Sequence, residues 1–145
     1  MNKDNVCCIG IVDDDKDIIT TYKLLFERRG ITVCLSASDG VEAIHMFSKS
    51  ERKPNVIIMD ERMNTMSGSD AAKALIHDYP KLSVIIISAD GDARIKAFSA
   101  GAKIFLRKPV STKVIIEAVR LARKNCTSDC YYYDDHKGFI ANTTC

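Results

Sequence analysis

CCIGIVDDDKDI, residues 7–18, decides how this chain is read. An apolar run at residues 7–12 leads straight into three adjacent carboxylates, Asp13, Asp14 and Asp15. The run is apolar at successive rather than alternate positions, the pattern of a strand buried on both faces of a parallel sheet. Neighbouring carboxylates repel, and burying one costs free energy unless a counter-charge compensates it. A buried strand that ends this way gathers negative charge at its carboxyl edge.

The pattern recurs along the chain. Apolar runs at residues 7–12, 31–35, 55–59, 82–88 and 104–106 alternate with segments of helical period. The first segment, residues 16–29, sets Ile18, Ile19, Tyr22, Leu25 and Phe26 on one face, with Gly30 as its stop. The second starts at Asp39 and carries Val41, Ile44 and Phe47 on one side. The third carries Ala71, Ala72, Leu75, Ile76 and Tyr79 and ends at Pro80. The fourth, residues 92–100, is closed by Gly101, and the fifth, residues 111–125, has Ser111 as its N-cap. The expected fold is α/β: a doubly wound (βα)5 domain over residues 1–125, with helices on both faces of a parallel sheet. Ligands of such a sheet bind beyond the carboxyl ends of its strands. Residues 126–145, CTSDCYYYDDHKGFIANTTC, show no period and read as a tail of unknown role.

The 145 residues are 46% hydrophobic and 28% charged, ordinary values for a single globular domain. A net charge of +2 is too small to draw nucleic acid by bulk electrostatics. No apolar run approaches the roughly 18 residues that span a bilayer, and the start of the chain lacks a signal-peptide layout. A cytoplasmic protein without membrane insertion is expected. Cys7, Cys8 and Cys34 fall in strand-like runs and read as small buried free thiols. Cys126, Cys130 and Cys145 fall in the polar tail near His136. That group matches no common metal-site spacing, so reduced, unliganded thiols are expected there.

The chemistry lies at the strand ends. Strand one ends in Asp13–Asp15, strand three in Asp60, strand four in Ser88 and strand five in Lys108-Pro109. In a parallel sheet all of them fall at one edge, and the carboxylates of strands one and three meet at the topological switch point. They require a counter-charge, and Mg2+ suits one or two carboxylates plus water and phosphate oxygens. A lysine and a hydroxyl at the same edge receive an added anion. Together these groups make a phosphoryl-transfer site with a carboxylate nucleophile.

The ordered set IVDD, VIIMDERM with Gly68 eight residues later, VIIISA and RKP resembles the receiver domain of two-component response regulators, the CheY-like single-domain form in particular. The resemblance covers about residues 6–125 and implies a flavodoxin-like sheet of five parallel strands in the order 2-1-3-4-5. It implies Asp60 as the phospho-acceptor, phosphorylated by a histidine kinase with Mg2+. Asp14 then ligates the metal, Asp13 holds a metal-bound water, and the Arg62 backbone carbonyl completes the protein's share. Ser88 bonds the phosphoryl group, and Lys108 pairs with the Asp60 carboxylate and later with the phosphate, with a cis bond before Pro109. Phe105 stands where the family places its aromatic switch; read alone, it is a core residue. The implied role is a phospho-accepting signalling switch, not an enzyme beyond self-catalysed phosphotransfer and dephosphorylation. Alternatives within the family are a relay or phosphate-sink receiver, and a scaffold that works without phosphorylation. Implied partners are a histidine kinase or phosphotransfer protein, and a downstream protein target or a second copy, met at the face of the fourth helix, fifth strand and fifth helix. No room for a DNA-binding module is expected after residue 125.

The chain departs from the family at Asn64, where the usual D-x-x-M-P run has proline. Arg62 and Asp90 flank the phosphoryl position and are expected to pair across its mouth, limiting water access. In the fifth helix, Val114, Ile115, Ala118, Leu121 and Ala122 form the buried face. Ile116 is expected to point outward, with Val119 to its side and Lys113, Arg120, Arg123 and Lys124 as a basic rim. Rival folds fit less well. A haloacid-dehalogenase-type phosphatase needs an acid where Arg62 stands, and Asp13–Asp15 would repel a flavodoxin's FMN phosphate.

Overall fold

The computed structural model describes residues 8–124 and 129–142. Five βα units come first: β1 (Cys8–Val12), α1 (Lys16–Glu27), β2 (Thr32–Ala37), α2 (Gly40–Lys49), β3 (Val56–Asp60), α3 (Gly68–Asp78), β4 (Ser83–Ser88), α4 (Ala93–Ser99), β5 (Ile104–Arg107) and α5 (Thr112–Lys124). Two further strands follow, β6 (Cys130–Asp134) and β7 (Gly138–Asn142). The sheet runs β2-β1-β3-β4-β5-β6-β7. All neighbours are parallel except β6 and β7, which form an antiparallel hairpin. The flavodoxin-like core with strand order 2-1-3-4-5 is therefore present, and the sheet carries two more strands than the sequence suggests.

Alternation along the strands divides the core into two layers. Ile9, Ile11, Ile58, Ile85, Ile87, Ile104 and Leu106 face α1 and α5. Val12, Ile57, Met59, Val84, Ile86 and Phe105 face α2, α3 and α4. Removing each large apolar side chain from water contributes about 1.5–3 kcal/mol. The helix signals work as local chemistry demands. The carboxylate of Asp15 accepts from the Asp17 amide at 2.9 Å, that of Asp39 from the Glu42 amide at 2.8 Å, and the Ser111 hydroxyl from the Val114 amide at 3.2 Å. Gly30 ends α1 at φ 72°, a backbone angle that other residues reach only with strain. No helix among the described residues is long and apolar enough to cross a membrane.

Several expectations are corrected. Residues 130–142 are not a structureless tail: Tyr131, Tyr132 and Tyr133 are good β formers, and β6 lies beside β5 through the pairs Ile104↔Tyr131 and Phe105↔Tyr132. Because this hairpin widens the sheet, α5 is covered more fully than a five-stranded sheet would cover it. Ile116 and Val119, read as outward, are 4% and 0% exposed. Tyr131, Tyr133 and Phe139 pack against the cluster that contains them. Lys113, Arg120, Arg123 and Lys124 do remain exposed.

The cysteines also differ from expectation. Cys8 and Cys34 are not free thiols but a disulfide between β1 and β2, with Cα atoms 5.6 Å apart. The β1–β2 register slips between Ile9 and Gly10, which leaves Cys34 as the extra residue opposite Cys8's end of the strand. Cys130 is disulfide-bonded as well, so its sulfur is not available as a thiolate ligand. Cys7, Cys126 and Cys145 lie outside the described residues. Val41, expected on the buried side of α2, is 52% exposed; Ala43 joins the expected Phe47 in that contact.

Candidate functional site

The carboxyl ends of β1, β3, β4 and β5 bring the acidic cluster, the hydroxyl and the lysine to one edge of the sheet. β1 runs parallel to β3 with Val12 opposite Met59, so Asp13 and Asp60 emerge side by side. Carboxylate oxygens of Asp13, Asp14 and Asp60 lie within 4.8 Å of one another. Asp13 and Asp60 are buried and Asp14 is exposed. The Lys108 ammonium sits 2.9 Å from the Asp60 carboxylate, held there by β5, whose end is tied to β4 by a bond from the Lys108 amide to the Ser88 carbonyl at 2.8 Å. The Lys108-Pro109 peptide bond is cis.

Burial raises the Asp13 pKa from 3.8 to about 6, against a bond from the Asp15 amide at 2.9 Å; the Asp60 charge adds to the rise and Lys108 opposes it. Burial works against the Lys108 ammonium too, but its hydrogen bond and ion pair with Asp60 outweigh that, and its pKa is raised. Burial also raises the pKa of Tyr22 on α1, a residue close enough to feel Lys108, Asp13 and Asp60. The site thus has more negative charge than one lysine balances. Three oxygen ligands of this kind, two of them buried, fit a hard divalent cation such as Mg2+.

A cavity of about 270 Å³ opens beside the acidic cluster, lined by Asp60, Arg62, Ser88, Ala89, Asp90 and Lys108. Ser88 is buried, and its hydroxyl oxygen accepts from the Asp90 amide at 3.1 Å. Arg62 and Asp90 both line the cavity, but among the ion pairs of the described residues none joins them. The Asp90 carboxylate instead accepts from the Asp92 amide at 2.9 Å, shaping the β4–α4 loop. Phe105 lies away from the mouth, 3% exposed and edge-to-face with Phe98 of α4 at 6.5 Å.

Two supports have roles that the sequence reading did not assign. Glu61, next to the candidate acceptor, is buried and turned away from the cavity; its carboxylate accepts from the Ser69 hydroxyl and, at 3.3 Å, from the Ser69 amide. The Gly68 amide donates to the Glu61 carbonyl at 2.9 Å. The segment after β3 is thereby folded back on itself without the proline of the usual motif. Gly68 is needed for that fold, because a Cβ there would run into the Asp60 carbonyl.

Residues 9–120 match the family model for the response regulator receiver domain. The chain belongs to that family. This receiver domain is 34% identical over 116 residues to the chemotaxis protein CheY of Thermotoga maritima, covering 79% of this chain and 95% of that one. It is 42% identical over 107 residues to a protein-glutamate methylesterase/protein-glutamine glutaminase of Pyrococcus horikoshii, covering 70% of this chain but 28% of the relative. Among solved structures, a response regulator receiver domain protein from Clostridium thermocellum superimposes with a TM-score of 0.74 at 32% identity, covering 81% of this chain and 94% of the other. The β6–β7 hairpin of this receiver lies beyond the 9–120 match.

Proposed function

We propose that this receiver is a phospho-accepting switch in a two-component phosphorelay, with Asp60 as acceptor. The observation that carries the reading is the Lys108–Asp60 contact of 2.9 Å beside the Asp13–Asp14 carboxylates. Asp60 supplies the nucleophilic oxygen, and the Lys108 ammonium, by hydrogen bond and ion pair, holds that carboxylate in position. In transfer from a histidine kinase or phosphotransfer protein, the Asp60 oxygen forms a bond to phosphorus as the histidine N–P bond breaks. The N–P electron pair stays on the imidazole, which takes up a proton, and Asp60 becomes an acyl phosphate.

Asp14 would hold Mg2+ directly, Asp13 through a water, with Asp60 and the Arg62 carbonyl as further ligands. When bound, Mg2+ neutralises charge on the transferring phosphoryl oxygens. Lys108 then has two anionic groups to span, and the Ser88 O–H, whose oxygen accepts from the Asp90 amide, can donate to a phosphoryl oxygen. The protein is a signalling component rather than an enzyme with turnover on a separate substrate, and a cytoplasmic setting suits a kinase partner. Its output goes to a protein target rather than to nucleic acid.

Beryllofluoride with Mg2+, a stand-in for the phosphoryl group, tests the reading. It is expected to bind the wild type with one site and to leave Asp60→Ala free. Equal binding to both proteins would sink the assignment. The fold is shared with a Borrelia burgdorferi CheY solved in a complex with CheX, beryllofluoride and Mg2+, at a TM-score of 0.72 and 24% identity.

A further inference from the structure

We propose that the β6–β7 hairpin is the built-in partner of the face formed by α4, β5 and α5, and that its docking and phosphorylation of Asp60 stabilise each other. This rests on the phospho-acceptor reading of Asp60.

The hairpin meets all three elements. β6 pairs with β5 through Ile104↔Tyr131 and Phe105↔Tyr132, so the edge of β5 is taken by the chain's own strand. On one side of the hairpin, Tyr131, Tyr133 and Phe139 join the cluster that buries Ile116 and Val119 of α5. Tyr133 and Phe139 also pack edge-to-face at 5.1 Å. On the other side, the Arg94 guanidinium of α4 lies 4.4 Å over the Tyr132 ring. Apolar cover on α5, strand pairing on β5 and a cation over a ring on α4 together form a complete seat.

That seat is wired to the site through two routes. β5 carries Phe105 beside Tyr132 and, three residues later, Lys108 against Asp60. α4 follows the loop that starts at Ser88, and it carries both Arg94 and Phe98. A phosphoryl group on Asp60 adds acceptor oxygens toward which the Ser88 O–H can donate, while the Ser88 oxygen accepts from the Asp90 amide and so ties that pull to the β4–α4 loop. Drawing Ser88 toward the phosphoryl group leaves room under the β4–α4 loop for the Phe105 ring.

The sign of the coupling follows from Phe105. Its ring is 3% exposed and packed on Phe98, and its strand partner Tyr132 of β6 lies under Arg94 of the same helix. The docked hairpin and the Ser88 shift both act on the Phe105–Phe98–Arg94 contact, and we take the inward ring that docking accompanies as the arrangement the phosphorylated site favours. Both events favour one arrangement, and linkage makes the effect reciprocal.

The experiment uses the full chain with Mg2+ and beryllofluoride, binding being read by 19F NMR and hairpin docking by amide hydrogen exchange. In the wild type, bound beryllofluoride is expected to slow exchange at Tyr131–Tyr133, and Asp60→Ala is expected to show no change. Reciprocally, Tyr132→Ala is expected to weaken beryllofluoride binding about five-fold or more. Arg94→Ala, on an exposed position that does not threaten folding, is expected to weaken it in the same direction. Unchanged or faster hairpin exchange in protein with a bound 19F signal would overturn the coupling and leave the acceptor role standing. Absence of any bound signal in the wild type would overturn both.

Discussion

Asp13 and Asp14 are neighbours in sequence and opposites in environment. Asp13 is 6% exposed and its carboxyl is raised from 3.8 to about 6, first by burial. Asp14 reaches solvent. For Asp13, the folded state binds its proton more tightly than the unfolded chain. The stabilisation this gives is full below the unfolded value of 3.8 and is lost as pH rises through about 6. Urea unfolding of the metal-free protein across that window is expected to show this loss in the wild type and not in Asp13→Asn, with added Mg2+ restoring stability above it. Asp15 has a different task, since its carboxylate accepts from the Asp17 amide at the start of α1. Asp15→Asn keeps a capping oxygen and is expected to leave Mg2+ affinity near wild type, whereas Asp14→Asn is expected to abolish measurable binding by calorimetry. Asp15→Ala should instead cost about 1 kcal/mol of stability.

At the scale of elements, the segment between β3 and α3 shows how local contacts set a site. Glu61 is turned inward onto Ser69 and Gly68 passes against the Asp60 backbone, so the acceptor strand and the next helix are locked together. Gly68→Ala forces backbone apart at Asp60 and is expected to cost about 1–3 kcal/mol in chemical unfolding. It is also expected to weaken beryllofluoride binding; an unchanged affinity would show that the close approach does not position the acceptor. Much of this edge was legible beforehand. Asp13, Asp14, Asp60 and Lys108 each stand at or just past the end of a strand, and parallel topology alone gathers strand ends. Glu61 was not, because nothing in a sequence says which way a side chain turns in an irregular loop. The Cys8–Cys34 bridge was hidden for a related reason: it depends on a register slip between strands that composition does not record. Three tyrosines in a row hid β6, because they carry no alternation to distinguish buried from exposed faces.

For the molecule as a whole, the hairpin changes what α5 is. The helix keeps Lys113, Arg120 and Lys124 in solvent, while Ile115 and Ile116 are both buried under a sheet wide enough to cover two directions of its surface. Ile116→Ala is therefore expected to destabilise by about 2–5 kcal/mol, as a core truncation does. An exposed isoleucine would change stability by no more than about 0.5 kcal/mol, so equilibrium unfolding separates the two placements cleanly.

Widening the sheet also relocates its rim. Among the described residues the outermost strand on this side is β7, GFIAN, which has neither charge nor proline to discourage another strand from lying alongside. Resistance to strand-on-strand association on this side then turns on five uncharged residues at the rim of the sheet. Ala141 is exposed on that strand, and Ala141→Lys is expected to lower light scattering on concentration while leaving beryllofluoride affinity unchanged.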